Sequence, residues 1–147
     1  MLNVYWLPTI KAAMDLDAKN PAVAVESLEV AAPYELGQPP QFQFGTLYPV
    51  YVRGQAQLMA NNGVAAAAEF QKFLGHRGIT LNVPLGALAH LGLARSYALQ
   101  ARTSQGADAE AARSRALAAY NDFFTLWKDA DPDIPILVAA KSESAKL

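Results

Sequence analysis

Apolar residues return at helical spacing along most of the chain, and short clusters of Pro, Gly and Asn interrupt them. Ile10, Ala13, Met14 and Leu16 mark a helix running from Leu2 or Pro8 to about Ala18. Lys19-Asn20-Pro21 is a tight turn, with Asn20 placed to cap the next helix and Pro21 at its first position. That helix reaches about Ala32 and carries Ala24, Leu28 and Ala31 at i, i+4 and i+7. Pro33 to Gly45 holds Pro33, Gly37, Pro39, Pro40 and Gly45, so a loop is expected there.

The same grammar then repeats. A helix is expected over Thr46–Ala60, a turn at Asn61-Asn62-Gly63, and a second, alanine-rich helix over Val64–Leu74. Gly75–Pro84 reads as another loop; its Ile79–Val83 stretch is too short, between Gly78 and Pro84, to make a strand. Leu85–Gln100 is again helical. The polar stretch Arg102–Asp108 is expected to lengthen the turn before a helix of about Ala109–Lys128. Asp131-Pro132-Asp133-Ile134-Pro135 stops that helix, and a last one runs from Ile136 to about Lys146. The pattern predicts three antiparallel helix pairs and a C-terminal capping helix in a single domain, residues 1–147.

The pairs can be laid on one another by their small and large residues. Ala12 precedes Ala24, Leu28 and Ala31; Gly54 precedes Ala66, Phe70 and Phe73; Ala94 and Tyr97 precede Ala116, Tyr120 and Phe123. The interval from Ala12 to Ala24 equals that from Gly54 to Ala66. These residues resemble the tetratricopeptide repeat, in which a small residue on helix A admits helix B and a large one fills the space between repeats. The resemblance implies an all-α, tetratricopeptide-like right-handed superhelix. The loops stretch the unit beyond the family's roughly 34 residues.

Tyr34-Glu35-Leu36-Gly37, Gly45-Thr46-Leu47-Tyr48-Pro49-Val50-Tyr51-Val52-Arg53-Gly54 and Leu126-Trp127-Lys128-Asp129-Ala130-Asp131-Pro132-Asp133-Ile134-Pro135 resemble the C-terminal repeat region of certain bacterial transmembrane serine/threonine protein kinases. That resemblance implies a sensor or docking portion of a larger receptor, extracytoplasmic or not. The kinase motifs themselves are missing: Asp122-Phe123-Phe124 lacks the glycine of Asp-Phe-Gly, and no Gly-rich phosphate loop occurs.

Composition supports a soluble globular domain. Of 147 residues 52% are hydrophobic and 17% charged, too apolar for disorder, and no apolar run approaches the ~18 residues of a membrane span. Leu2 to Trp6 lacks the basic start of a signal peptide. Net charge is −1 and the arginines, Arg53, Arg95, Arg102, Arg113 and Arg115, are scattered among acids, which argues against nucleic acid. Cysteine is absent, removing disulfide and thiolate chemistry.

Candidate chemistry is sparse. Asp129, Asp131 and Asp133 alternate like a calcium loop, but Ile134 stands where Gly is needed and Ala140 where a bidentate Glu should be. His76, in a loop beside Arg77, and His90, expected on a helix surface, lack metal-ligand or triad spacing. No cofactor and no catalytic site are expected. Alignment to the tetratricopeptide groove instead implies a partner-binding face of Trp6 and Thr9, then Tyr48, Tyr51, Gln55 and Leu58, then Leu88, Leu91 and Arg95. The carboxylate clamp of chaperone-binding members is disfavoured, because Ile10, Val52 and Gly92 occupy its positions. The expected function is a non-catalytic module binding a protein or peptide; a regulatory domain for a small molecule is the alternative. Leu2, Val4, Tyr5, Trp6 and Leu7 further predict an exposed apolar N-terminal end through which copies self-associate.

Overall fold

The chain reverses direction through two turns of the same construction. In the computed structural model, which describes residues 1–37, 47–80 and 83–147, α1 (Leu7–Asp17) continues a π-helical turn at Leu2–Trp6 and leads into α2 (Pro21–Leu28). Between them Lys19 adopts a left-handed φ of 63°, its N–H donating to Leu16 O at 2.9 Å while Asn20 N–H reaches Asp15 O at 2.8 Å. Between α3 (Tyr48–Met59) and α4 (Gly63–Gly75), Asn61 takes φ 58°, its N–H meets Leu58 O at 3.0 Å, and Asn62 N–H meets Gln57 O at 2.8 Å. Both are Schellman closures, which satisfy carbonyls that a helix end leaves unpaired. The asparagines at the start of α2 and α4 behave differently. Asn62 accepts from Ala65 N–H at 3.4 Å, whereas the side chain of Asn20, expected to cap α2, makes no such bond.

The second half departs from expectation in two places. Arg77–Thr80, expected as loop, forms a helical turn, α5, because the N–H groups of Ile79 and Thr80 both find His76 O and Thr80 is buried. The turn between α6 (Leu85–Thr103) and α7 (Gly106–Leu126) is only Ser104 and Gln105. Arg102 belongs to the last turn of α6 and Asp108 to the first turn of α7, where each charge suits the helix dipole. Their polarity marks helix ends rather than a long loop. The last helix is α8 (Pro135–Ser144). A 3-10 turn, Glu29–Tyr34, extends α2 into the segment expected as loop; residues 38–45 of that loop and the helix start at Thr46 lie outside the described residues. Among the described residues every regular element is helical, and no helix is long and apolar enough to cross a membrane.

Successive helices pack on one another from α1 to α4 and on through α6, α7 and α8, and α3 also touches α1 and α6. A large residue of each second helix fills the junction with the helix that follows. Leu28 meets Ala12 on α1 and Val52 and Ala56 on α3 in one cluster. Phe70 does the same with closer tolerances. A methyl group at Gly54 of α3 would fall 2.8 Å from its Cζ, and one at Gly92 of α6 would lie closer still. The ring is fully buried between two helix backbones. Tyr120 and Phe123 of α7 join Leu91 and Ala94 of α6 and Leu137 and Ala140 of α8 in the corresponding cluster.

One charged cluster is buried with this core. Glu35, just past the 3-10 turn, has a side chain 0% exposed. Its carboxylate accepts from Arg53 Nη1 at 2.8 Å and from Lys72 Nζ at 2.5 Å, while Arg53 also grips Glu69 through Nε and Nη2, both at 2.9 Å. Burial opposes the charge on Glu35, but the hydrogen bonds from Arg53 and Lys72 outweigh it and hold the carboxyl below its ordinary value.

The N-terminal end is not laid out as expected. Tyr5 is 2% exposed, its hydroxyl accepting from Leu47 N–H at 2.8 Å, and burial pushes its pKa up to about 12. Trp6 is half-buried against Tyr48, with ring centroids 5.9 Å apart. The apolar side chains that do face outward are Leu2, Leu7, Ile10 and Met14. Tyr5 therefore anchors the start of α3, where Leu47 holds a left-handed φ of 67°.

This packing can be tested by substitution. Gly92→Ala should cost about 1–3 kcal/mol by overpacking Phe70, and Phe70→Ala about 3–5 kcal/mol by leaving a cavity. Urea unfolding of the double variant should show less than the sum of both losses, because the small side chain at position 70 makes room for the methyl at 92. Glu35→Gln should cost about 3 kcal/mol at neutral pH, the low end for breaking a buried ion pair, since Arg53 keeps Glu69. Because the folded-state pKa of Glu35 lies below 4.5, its contribution is complete above that pH and fades as pH falls below it. Melting curves of wild type and Glu35→Gln should therefore converge in acid.

Candidate functional site

Apolar packing between α6 and α8 creates a charged contact beside it. Leu91 of α6 packs with Leu137 and Ala140 of α8, and one turn further along each helix stand Arg95 and Glu143. Arg95 grips Glu143 bidentately, Nε to Oε2 at 2.8 Å and Nη2 to Oε1 at 2.9 Å, and the Tyr120 hydroxyl donates to Oε2 at 2.9 Å. Burial works against ionising Glu143, but the Arg95 hydrogen bonds win and lower its pKa. Tyr120 is pushed the other way, first by burial and then by the Glu143 carboxylate, so its phenol stays neutral.

This contact borders a cleft of about 800 Å³, partly open to solvent, lined by α3, α6, α7 and the C-terminal segment. Leu58, Met59, Ala98 and Leu99 give it apolar surface; Gln55 and Asn61 add amides. Its charges are Arg95, Arg102, Arg113 and Lys146 against Glu143. Arg113 pairs with the exposed Glu110 at 3.3 Å. Arg102 and Lys146 have no carboxylate within 4.0 Å among the described residues.

Of the nine residues aligned to a groove, the structure gathers Gln55, Leu58 and Arg95 around this cleft. Tyr51 stands behind them: its hydroxyl accepts from Gln55 at 3.3 Å, but its ring packs on Phe70 and Phe73 and burial raises its pKa. Trp6 and Tyr48 form a separate aromatic pair toward the N-terminal end. Thr9 is a correction. It is buried and its hydroxyl donates to Tyr5 O, the self-satisfaction open to a helical threonine. Leu91 is another, 1% exposed in the cluster that includes α8, with Leu88 packed against it. Leu91 and Leu88 share that cluster with Leu137 and Ala140 of α8.

Other readings change as well. His90, expected on a helix surface, is buried, with Nδ1 3.5 Å from an Asp122 oxygen but making no hydrogen bond; burial lowers its pKa, and the Asp122 charge only partly offsets that. His76 turns Nδ1 onto Lys72 O at 2.7 Å, closing the end of α4. The arginines that lie scattered along the sequence are not all so in space, since Arg95, Arg102 and Arg113 reach one cleft. Arg95 and Arg102 share a helix face at i, i+7, a signal present in the sequence. Tyr120, Glu143 and Lys146 had none, because their place depends on how α8 docks. Among the described residues no three His, Asp or Glu side chains gather to hold a metal ion. Ser96 is buried, its hydroxyl donating to Gly92 O at 2.8 Å. The cleft presents charge, amides and apolar surface.

No family model matches the chain, and none of the curated proteins or solved structures compared with it is similar.

Proposed function

We propose that this chain is a non-catalytic repeat module that binds a protein or peptide in the cleft beside Arg95, its helix pairs stacking as a tetratricopeptide-like right-handed superhelix. The observation that carries the reading is that cleft: about 800 Å³, partly open, and bordered by Gln55, Leu58 and Arg95 from the first helices of two successive pairs. The matched Schellman turns and the placement of Leu28 and Phe70 support the repeat. A docking role within a bacterial signalling kinase rests on the resemblance of the Tyr34–Gly37, Gly45–Gly54 and Leu126–Pro135 segments. A small-molecule regulatory domain is the alternative, since the volume also falls within the ~300–1,000 Å³ of ligand pockets. Self-association is a separate reading, carried by Leu7, Ile10 and Met14, which are 48%, 55% and 66% exposed on one face of α1.

Selection of a random dodecapeptide display library on the chain tests the main reading. Enriched peptides should shift backbone resonances at Gln55, Leu58 and Arg95 and should not bind Gln55→Ala/Arg95→Ala. That variant should lose only about 1 kcal/mol of stability or less, because Arg95 and Glu143 are each about a third exposed. A fragment screen yielding cleft ligands where no peptide is enriched would favour the small-molecule reading. For the separate contact, light scattering should show wild-type association that Met14→Glu abolishes.

A further inference from the structure

The charges of the cleft do not cancel. Of its charged side chains Arg95, Arg102, Arg113 and Lys146 are cationic and only Glu143 is acidic; Arg95 and Tyr120 hydrogen-bond that carboxylate and the Lys146 charge also favours it. Among the described residues neither Arg102 nor Lys146 has a carboxylate within 4.0 Å, and Arg113 pairs with Glu110, a glutamate 69% exposed. A chain of net charge −1 that leaves cations uncompensated around one concavity presents a local field opposite to its overall sign. Apolar surface from Leu58 and Leu99 lies among them. A small inorganic anion would use the charges and leave that surface wet. An extended chain with acidic and apolar side chains uses both.

We propose that the occupant of the cleft is an acidic peptide segment, whose carboxylates meet Arg102, Arg113 and Lys146 and take Arg95 over from Glu143. The inference rests on the reading of the cleft as a peptide site and names the class of peptide. Glu143 is then the internal stand-in for a ligand carboxylate. It occupies the fork of Arg95 in the bidentate geometry that an incoming Asp or Glu would adopt. Displacing it does not unseat α8, whose hold on the domain is the apolar cluster of Leu137 and Ala140. The Tyr120 hydroxyl, which donates to Glu143, can donate to the incoming carboxylate instead. The peptide adds an outer layer of charge pairs around a short apolar contact, so its binding weakens with salt.

The dodecapeptide selection separates this inference from the reading beneath it. Enriched sequences should carry two or more Asp or Glu residues beside an apolar one. Fluorescence anisotropy with one such peptide should show affinity falling roughly tenfold in Arg102→Gln/Lys146→Gln, about 1.4 kcal/mol, with a shallower salt dependence. Both positions are exposed, so this variant should stay folded, its melting lowered only by the loss of two helix-end charges. Glu143→Gln should bind the same peptide more tightly even though it loses an ion pair. A merely structural Glu143 would give the opposite sign. Cleft binders without acidic residues would overturn the acidic-peptide inference and leave the peptide site standing. No cleft-binding peptide of any composition would remove both. Oligo-dT binding as tightly as the selected peptide, and equally dependent on Arg102 and Lys146, would overturn the inference in favour of a general polyanion surface.

Discussion

The Phe70 ring can lie where it does only because two helices offer it bare backbone. Gly54 of α3 and Gly92 of α6 both face it, and a methyl group on either would enter the ring's own space. The ring therefore sets the separation of α3, α4 and α6 together. Packing at interior density leaves no slack for such a junction to drift. The equivalent place in the first pair is softer, with Leu28 against Ala12 and Ala56. In the last it is aromatic again, with Tyr120 and Phe123 meeting α8 instead of another pair. The cleft inherits its shape from this sequence of fillers, since α3 contributes Gln55 beside Gly54 and Leu58 one turn beyond it, next to the backbone that Phe70 spaces.

The buried Glu35 acts on the same junction from its other side. Arg53 neighbours Gly54, and Glu69 and Lys72 flank Phe70 on α4, so the charge cluster and the ring hold the same two helices. Glu35 adds the segment beyond α2 to them. An ion pair of this kind contributes little net stability against an apolar replacement, yet losing one partner strands the others. What it adds is a unique placement for a segment rich in Pro and Gly.

The alternation of small and large residues was legible because helix periodicity and volume act locally: Gly54, Ala66 and Phe70 meet as their spacing implied. Gly92 was not, since its role depends on a ring on another helix. Helix ends extend further than their polarity suggests. Arg102 and Asp108 have the composition of a loop, but their charges complement helix dipoles. The buried glutamate was invisible for a general reason: carboxylates are almost never buried unless paired, and its partners lie on two other elements. The groove failed in part for a topological one. Alignment to an open repeat places Leu88 and Leu91 on a free face, and α8 folds over them.

That same covering concentrates what remains. With Leu91 and Leu88 beneath α8, the accessible concavity shifts toward the α6–α7 turn, where helix ends converge. Arg102 lies in the last turn of α6 and Lys146 just beyond α8, both at the negative end of a helix dipole. Each such placement stabilises a cation by about 0.3–1 kcal/mol, on the order of what an exposed ion pair supplies. The cations can therefore stand together without internal carboxylates, and the fold tolerates a cleft whose charge is left unmatched. A partner does not have to break strong internal pairs to reach them, apart from the Glu143 contact that it can replace in kind.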